Sequence, residues 1–131
     1  SYLWNIGNLQ SDSNFIPAPV SLPGGTKDTF YIITLTATNL CAVKTWKDSI
    51  LVHPLPLVDF GPDTDTVCSG ATLFFANTTL GQPETFYWDF GNGITSTDTF
   101  PPPVQYFTDS LYRTYTVRLI ATNFCGADTL D

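Results

Sequence analysis

The sequence predicts an all-β fold in which short strands pack as two-layered β-sandwiches. Several segments alternate between apolar and polar residues, the pattern of a strand with one buried face; the clearest covers residues 86–90, with Trp88 at its centre. Residues that favour helices are scarce, since the chain has no Met and a single Glu, whereas 15% of its residues are aromatic. Gly, Pro, Asn and Asp separate the alternating segments, as expected of turns between strands.

An ungapped internal repeat organises the chain. The segment from Trp4 to Asn8 matches that from Trp88 to Asn92 at an offset of 84 residues, and the offset holds to the last residue, so residues 1–47 overlie residues 85–131. Further matched pairs are Pro17 with Pro101, Pro19 with Pro103, Tyr31 with Tyr115, Asn39 with Asn123, and Cys41 with Cys125. A period of this length indicates tandem domains rather than a solenoid. We therefore expect two incomplete domains: residues 1–54, the C-terminal part of one repeat, and residues 55–131, the following repeat without its last strand.

In the first domain, the alternation predicts strands over residues 2–6, 30–38 and 46–52. Residues 7–19 are predicted to form a loop, in which Pro17 and Pro19 fit only an edge strand because proline lacks an N–H group. Residues 39–42 are predicted to form a turn. Residues 53–56 form a short junction with two prolines, which predicts that neighbouring domains are held semi-rigidly.

In the second domain, strands are predicted over residues 57–60, 71–77, 86–90 and 113–122, with an edge passage over residues 101–106. The residues expected to point inward are Val58, Phe60, Leu73, Phe75, Val104, Tyr106, Val117, Leu119 and Ala121. Phe74 is expected to point outward. The core anchors expected across both domains are the aromatic side chains of Trp4, Trp88, Tyr31 and Tyr115.

Composition argues against several classes of function. The net charge is −7 with only five Lys and Arg residues, so nucleic-acid binding is not expected. No apolar run approaches the roughly 20 residues of a membrane-spanning helix. The single histidine, His53, lies between strand and prolines in the junction and is interpreted as structural, so we expect no enzyme. An acidic, lysine-poor surface suits an extracellular protein.

Two kinds of binding residue are considered. Asp59, Asp63 and Asp65 are candidate calcium ligands. Their spacing is not that of a known calcium loop, and Asp is common in turns. We therefore expect no cofactor, with calcium binding at these residues as the alternative. Trp46, Phe74 and Tyr87 are the candidates for exposed aromatic side chains. An aromatic row on one face would suggest sugar stacking, but single exposed aromatics are common on protein surfaces.

The second repeat resembles the PKD (polycystic kidney disease) domain. The resemblance rests on Tyr-Trp-Asp-Phe-Gly-Asn-Gly at residues 87–93, Pro-Pro-Val-Gln-Tyr at 102–106, and Tyr-Thr-Val-Arg-Leu-Ile-Ala-Thr-Asn at 115–123. The first repeat is looser, because Asn5 and Ile6 replace the family's Asp and Phe. The family fold is a seven-stranded immunoglobulin-like sandwich, so the resemblance implies tandem immunoglobulin-like β-sandwiches.

The variant with Cys68-Ser-Gly and Asn-Phe-Cys-Gly126 looks like the PKD repeats of very large bacterial surface proteins, including adhesins of gliding bacteria exported by the type IX route. That resemblance implies a non-catalytic structural or adhesive segment outside the cell. Its partners would be neighbouring repeats and extracellular polysaccharide or protein surfaces. The alternative is a polymer-binding accessory domain of a secreted hydrolase such as a chitinase or protease.

The three cysteines are expected to form no bond with one another. In an immunoglobulin-like sandwich, Cys68 precedes the second strand and Cys125 follows the sixth, at opposite ends of the domain. A six-residue strand spans about 20 Å, whereas bridged Cα atoms lie about 5.5–6 Å apart. A bond across a domain junction fits better, with Cys125 meeting the preceding repeat's counterpart of Cys68.

Aspartate is followed by Ser or Thr at eight of the ten positions where a residue follows it. One explanation is that Asp, Ser and Thr all favour turns and local caps. The other comes from the resemblance, because gliding-type bacteria attach O-glycans to Asp-Ser/Thr before an aliphatic residue. The acceptors expected on that basis are Ser49, Thr66, Ser110 and Thr129, with looser matches at Thr29 and Thr99. We expect all six of these acceptors to lie at strand ends and turns.

Overall fold

The computed structural model describes all 131 residues, which form twelve β-strands and no helix. The all-β fold class is therefore confirmed, and the chain contains no helix long and apolar enough to cross a membrane. Every strand pairing is antiparallel. The chain divides into two compact units, Ser1–Pro54 and Leu55–Asp131, here called unit 1 and unit 2.

Unit 1 consists of one four-stranded sheet with the order β2-β1-β3-β4. Its strands are β1 (Tyr2–Ile6), β2 (Gln10–Asp12), β3 (Thr29–Thr38) and β4 (Val43–Val52). The β1–β2 turn passes through Gly7, whose φ of 54° favours glycine, and closes with a hydrogen bond from the Leu9 N–H to the Ile6 carbonyl. The sequence did not predict β2, because its three residues are polar and show no apolar alternation.

Unit 2 is an immunoglobulin-like sandwich of two layers. One layer is a four-stranded sheet with the order β12-β11-β8-β9, made of β8 (Thr85–Asp89), β9 (Thr95–Ser96), β11 (Arg118–Asn123) and β12 (Gly126–Leu130). The other layer holds two two-stranded sheets: β5 (Phe60–Pro62) pairs with β7 (Phe75–Asn77), and β6 (Thr72–Leu73) pairs with β10 (Val104–Gln105). Side chains from both layers meet in a single core.

The two four-stranded sheets have the same strand order, and the residue pairs present in both have the same register. Trp4 lies opposite Leu35 in unit 1 and Trp88 lies opposite Leu119 in unit 2, and each equivalent pair is 84 residues apart. The turn pairs Thr38–Val43 and Thr122–Ala127 obey the same offset. The sequence repeat therefore corresponds to one recurring sheet with a conserved order and register.

Side-chain hydrogen bonds recur at the same offset. The Trp4 indole N–H donates to the Asn14 carbonyl at 3.2 Å, and the Trp88 indole N–H donates to the Asp98 carbonyl at 3.0 Å. The Tyr31 hydroxyl donates to the Pro23 carbonyl, and the Tyr115 hydroxyl donates to the Phe107 carbonyl. These bonds tie the loop after each Trp strand to the sheet, and they explain why Trp and Tyr recur where other apolar residues also fit a core.

The core of unit 2 is built around Trp88, whose side chain is fully buried. Its ring centroid lies 5.3 Å from that of Phe60, 6.3 Å from that of Phe75 and 5.8 Å from that of Phe90. The predicted inward positions are confirmed as buried or packed against this core: Val58, Phe60, Leu73, Phe75, Val104, Tyr106, Val117, Leu119 and Ala121. Phe74 points outward as predicted.

Three predicted strands of unit 2 differ in the structure. The strand predicted over residues 71–77 is divided between two sheets, because β6 pairs with β10 and β7 pairs with β5. The strand predicted over residues 57–60 begins only at Phe60; Leu57 makes an isolated bridge with Leu80. The strand predicted over residues 113–122 begins at Arg118, since β8 and β12 offer no residues opposite 113–117.

The expectation that residues 55–131 lack their last strand is wrong. Gly126–Leu130 forms β12, which pairs with β11 immediately after a tight turn. Sequence reasoning missed β12 and began the equivalent strand β4 at residue 46, whereas β4 begins at Val43. Both errors arose because it did not anticipate how the preceding turn closes. The side-chain oxygen of Asn123 accepts the N–H groups of Cys125 and Gly126, as that of Asn39 does for Cys41 and Ala42.

Trp88→Ala is expected to lower the stability of unit 2 by about 3–5 kcal/mol, because it leaves a cavity at the centre of the core. The matched control is Tyr87→Ala on the same strand, since the Tyr87 side chain faces outward and is 43% exposed. Thermal unfolding monitored by circular dichroism measures both changes. Equal melting temperatures for Trp88→Ala and the unaltered chain would show that this core does not carry the stability of the unit.

Candidate functional site

The acidic residues considered as a calcium site do not come together. Asp59 precedes β5, and its carboxylate accepts a hydrogen bond from the Thr78 hydroxyl at 2.7 Å. Asp63 follows β5, and its carboxylate accepts the Phe74 N–H at 3.2 Å. No group of three or more His, Cys, Asp or Glu side chains in the structure is placed to hold a metal ion. Asp59 and Asp63 instead cap the two ends of the β5–β7 pair, and Asp65 lies in the exposed loop beyond them.

His53 has a partner that sequence reasoning missed. Its Nδ1 lies 2.9 Å from a carboxylate oxygen of Asp28, and both side chains are partly exposed. The two residues are 25 positions apart, so no local pattern signalled the contact. The pair joins the residue before β3 to the residue after β4, which fits the structural role predicted for His53.

An open pocket lies beside the β1–β2 turn. Its lining residues are Asn5, Gly7, Asn8, Leu9, Gln10 and Ser11. None of these side chains titrates near neutral pH, so the pocket supplies hydrogen-bonding groups without a general acid or base.

The electrostatic effects in the chain stabilise loops and strand ends. The Asp12 carboxylate accepts the backbone N–H groups of Ala18 and Asn14 at 2.9 and 2.8 Å, and these bonds hold its pKa below the ordinary value. Asp131 forms a two-bond ion pair with Arg118, which lowers the pKa of the carboxyl and raises that of the guanidinium. The sequence Asp12-Ser-Asn14 is a recognisable signal of the hydrogen bond from the Asn14 N–H, since Asp side chains often bond the backbone two residues on.

Tyr106 is the titratable side chain most affected by its surroundings. Burial, followed by the proximity of Tyr115 and Asp89, raises its pKa to about 12. The ring is 6% exposed, and its hydroxyl donates a hydrogen bond to the Phe90 carbonyl at 3.1 Å. Tyr106 therefore ties the end of β10 to the end of the Trp88 strand.

The exposed aromatic side chains do not form one row. Trp46, Phe74 and Tyr87 are exposed as predicted, at 53%, 58% and 43%. In unit 2, Phe74 faces away from the core on the β6–β7 layer, whereas Tyr87 faces away from the core on the four-stranded layer. These two rings point to opposite sides of the sandwich, so they do not present a shared platform for stacking a sugar chain.

The four closer Asp-Ser/Thr acceptors are all exposed: Ser49, Thr66, Ser110 and Thr129. Thr99 is also exposed, whereas Thr29 is half-buried and its hydroxyl donates to the Lys27 carbonyl at 3.2 Å. The expectation that these sites lie at strand ends and turns is wrong for Ser49, which lies within β4, and for Thr129, which lies within β12. Both strands are sheet edges, so their side chains still reach solvent.

The side chains of all three cysteines are exposed: Cys41, Cys68 and Cys125. In unit 2, Ser69 beside Cys68 bonds the backbone of Thr108, whereas the turn that contains Cys125 bonds the Gly81 carbonyl at 2.9 Å. Since the chain runs from residue 68 through β6 and β7 to residue 81, these two turns lie at opposite ends of the unit. The placement agrees with the separation inferred for Cys68 and Cys125.

Unit 2 is expected to lose stability between about pH 10 and pH 12 in part through Tyr106. The hydroxyl ionises near pH 10 in the unfolded chain and at about 12 in the folded one, so its contribution is complete below pH 10 and is lost as the pH rises. Tyr106→Phe removes the ionisable group and should flatten this alkaline decline, while costing about 1 kcal/mol at neutral pH for the lost hydrogen bond. Melting temperatures measured from pH 8 to 12 test this, and parallel declines in both proteins would contradict it.

Comparisons of this chain with known protein families, with curated proteins and with solved structures find no match.

Proposed function

We propose that this chain is a non-catalytic structural and adhesive segment of an extracellular or cell-surface protein, built from PKD-like repeats. The observation that carries the proposal is the recurring four-stranded sheet, with the same register and the same anchoring hydrogen bonds 84 residues apart. A chain that repeats the same folding unit without gaps forms an extended tandem array. Its partners would be neighbouring repeats and extracellular polysaccharide or protein surfaces.

The junction and the surface support this proposal. His53 is bonded to Asp28 within unit 1, so the last strand of that unit is tied to its neighbour at the end where the unit finishes. The chain carries a net charge of −7, which keeps such surfaces soluble and mutually repulsive. Many of the polar residues described above serve as caps, turn bonds and core bonds, which supports a structural role.

The second candidate is a polymer-binding accessory domain of a secreted hydrolase. The exposed side chains of Trp46, Phe74 and Tyr87 favour it, because aromatic rings stack on sugar faces and pack against fibrous proteins. Phe74 and Tyr87 lie on opposite sides of unit 2, which argues for isolated contacts rather than one binding strip.

Sedimentation with insoluble chitin, cellulose and collagen separates the two candidates. A structural segment predicts that each polymer retains the chain no better than a variant carrying Trp46→Ala, Phe74→Ala and Tyr87→Ala, since isolated rings give no shared platform. The three positions are exposed, so the variant is expected to fold. Retention of the unaltered chain that exceeds that of the variant at least about tenfold, equivalent to 1.4 kcal/mol, would favour the accessory domain instead.

We also propose that this surface carries O-glycans at Ser49, Thr66, Ser110 and Thr129. All four acceptors are exposed and follow Asp, and sugars there would hydrate a surface that has few lysines. Proteolytic peptides that contain these four residues, released from protein of its native source, should be heavier than their amino-acid sequences require. Ser49→Ala should remove one glycan mass from its peptide, whereas Thr45→Ala, on the same strand but not after Asp, should remove none. Peptide masses equal to those of the bare sequences at all four positions would contradict the proposal.

A further inference from the structure

The two edges of the unit 1 sheet differ in length. One edge is β2, which has three residues, whereas the other is β4, which has ten residues and is exposed at nine of them. β4 pairs with β3 without a break in register from Val43 to Val52, so it contains no bulge, and it contains no proline. A long, regular edge of this kind presents a row of unpaired backbone groups to a further strand.

The turn before β4 shows which backbone groups lie on the open edge. The Asn39 N–H donates to the Ala42 carbonyl, so these two residues form a hydrogen-bonded pair where the β3–β4 hairpin begins. Because such pairs alternate along antiparallel strands, the even-numbered residues of β4 bond β3. The residues whose N–H and C=O groups point to the open edge are therefore Val43, Thr45, Lys47, Ser49 and Leu51.

The same edge is open in unit 2, where the facing layer is present. β12, the equivalent of β4, pairs only with β11, although residues 55–84 contribute to the core of that unit. The Asp128 carboxylate on β12 accepts the Val58 N–H, but this side-chain contact adds no strand to the edge. The open edge is therefore a feature of the recurring sheet and is independent of the layer that faces it.

We propose that the β4 edge binds the β4 edge of a second copy of this chain, so that two four-stranded sheets join into one eight-stranded antiparallel sheet. The pairing is symmetric about Trp46, which lies opposite Trp46 of the second copy. The hydrogen-bonded pairs are Thr45 with Lys47 and Val43 with Ser49, each formed twice by symmetry. This inference does not depend on the adhesive role proposed above.

Charge selects this register. The charged residues of β4 are Lys44, Lys47 and Asp48, and β3 has none. With Trp46 at the centre, Lys44 lies opposite Asp48 of the second copy, and Asp48 lies opposite its Lys44. Opposite charges directly across two strands stabilise an antiparallel pair, whereas like charges destabilise it. Centring the pairing on Lys47 or on Asp48 would set that residue against itself.

Trp46 adds apolar contact at the centre of the pairing. Its side chain is 53% exposed in the single chain. In the proposed register the two Trp46 residues form a pair without hydrogen bonds, in which Cα atoms lie about 4.5 Å apart and side chains are closest. Lysine on an edge strand ordinarily opposes pairing. Here Lys44 gains a carboxylate and Lys47 lies opposite the neutral Thr45, so that protection is removed for this one partner.

Asp48 shields part of the edge in the single chain. Its carboxylate accepts the Ser49 N–H at 2.8 Å, although this N–H belongs to the open edge. In the paired sheet the Val43 carbonyl of the second copy accepts that N–H, and the Asp48 carboxylate turns to Lys44. One hydrogen bond is exchanged for another, so we expect a reversible dimer.

Analytical ultracentrifugation of the full chain tests the pairing. The protein is produced without glycosylation and carries Ser at the three cysteine positions, which prevents disulfides between copies. Its mass should rise reversibly with concentration from 14.4 kDa to twice that value. Lys44→Asp should raise the Kd of the dimer about tenfold, because it sets like charges opposite each other at two symmetric places. Asp48→Lys should have the same effect.

Combining the two changes gives the decisive variant. Lys44→Asp with Asp48→Lys restores opposite charges across the interface, so it should bring the Kd back to that of the unaltered edge. The rescue cannot arise within one strand, since residues four apart on a strand are separated by about 13 Å. The matched control is Lys47→Asp, which changes the net charge as Lys44→Asp does but lies opposite Thr45. It should raise the Kd much less.

Cross-linking reports the register directly. Trp46→Cys, in the same cysteine-free background, should give a disulfide-linked dimer under oxidised glutathione, because Cα atoms about 4.5 Å apart are within the range of a disulfide. Thr45→Cys should not cross-link, since Thr45 lies opposite Lys47. Both positions are exposed, so neither change removes a buried side chain.

Three results would overturn the proposal. The first is a chain that keeps a mass of 14.4 kDa at every concentration up to about 1 mM. The second is a double variant that dimerises no better than Lys44→Asp alone, or a Lys47→Asp variant that is weakened equally, since either would mean that net charge governs the association. The third is a dimer that cross-links through Thr45→Cys and not through Trp46→Cys, which would assign the association to another register or surface.

Discussion

Burial of the Trp88 ring is the interaction on which unit 2 depends. The ring is enclosed by Phe60, Phe75 and Phe90, so it joins β8 to both β5 and β7 of the facing layer. Its indole N–H is the one polar group that burial would leave unpaired, and the Asp98 carbonyl accepts it. The loop after β8 must therefore return to the core, and that return positions β9 and β10.

The two units share one sheet with the same strand order, and the residue pairs present in both have the same register. Backbone pairing and the Asn-capped turns set this register. Complete burial of the Trp88 side chain additionally requires the facing layer of unit 2, which contains β5, β6, β7 and β10.

Much of the architecture was predictable because strands with one buried face alternate in sequence. The all-β class and the inward side chains of unit 2 follow from that alternation, and the repeat follows from matching residues 84 positions apart. The bounds of β6, β7 and β11 did not follow, because pairing partners decide where a strand begins and the partners are distant in sequence. The Asp28–His53 contact and the capping roles of Asp59 and Asp63 were equally hidden, since turn-rich acidic sequences look alike whether they bind ions or cap strands.

The hydrogen bond from the Val58 N–H to the Asp128 carboxylate joins the first and last parts of unit 2. The two residues are 70 positions apart, and every other strand of the unit lies between them in the sequence. Tension applied along the chain would therefore reach this contact before it reaches the core around Trp88. This hydrogen bond is therefore expected to break early when unit 2 is stretched from its two ends, before the strands between Val58 and Asp128 come under load.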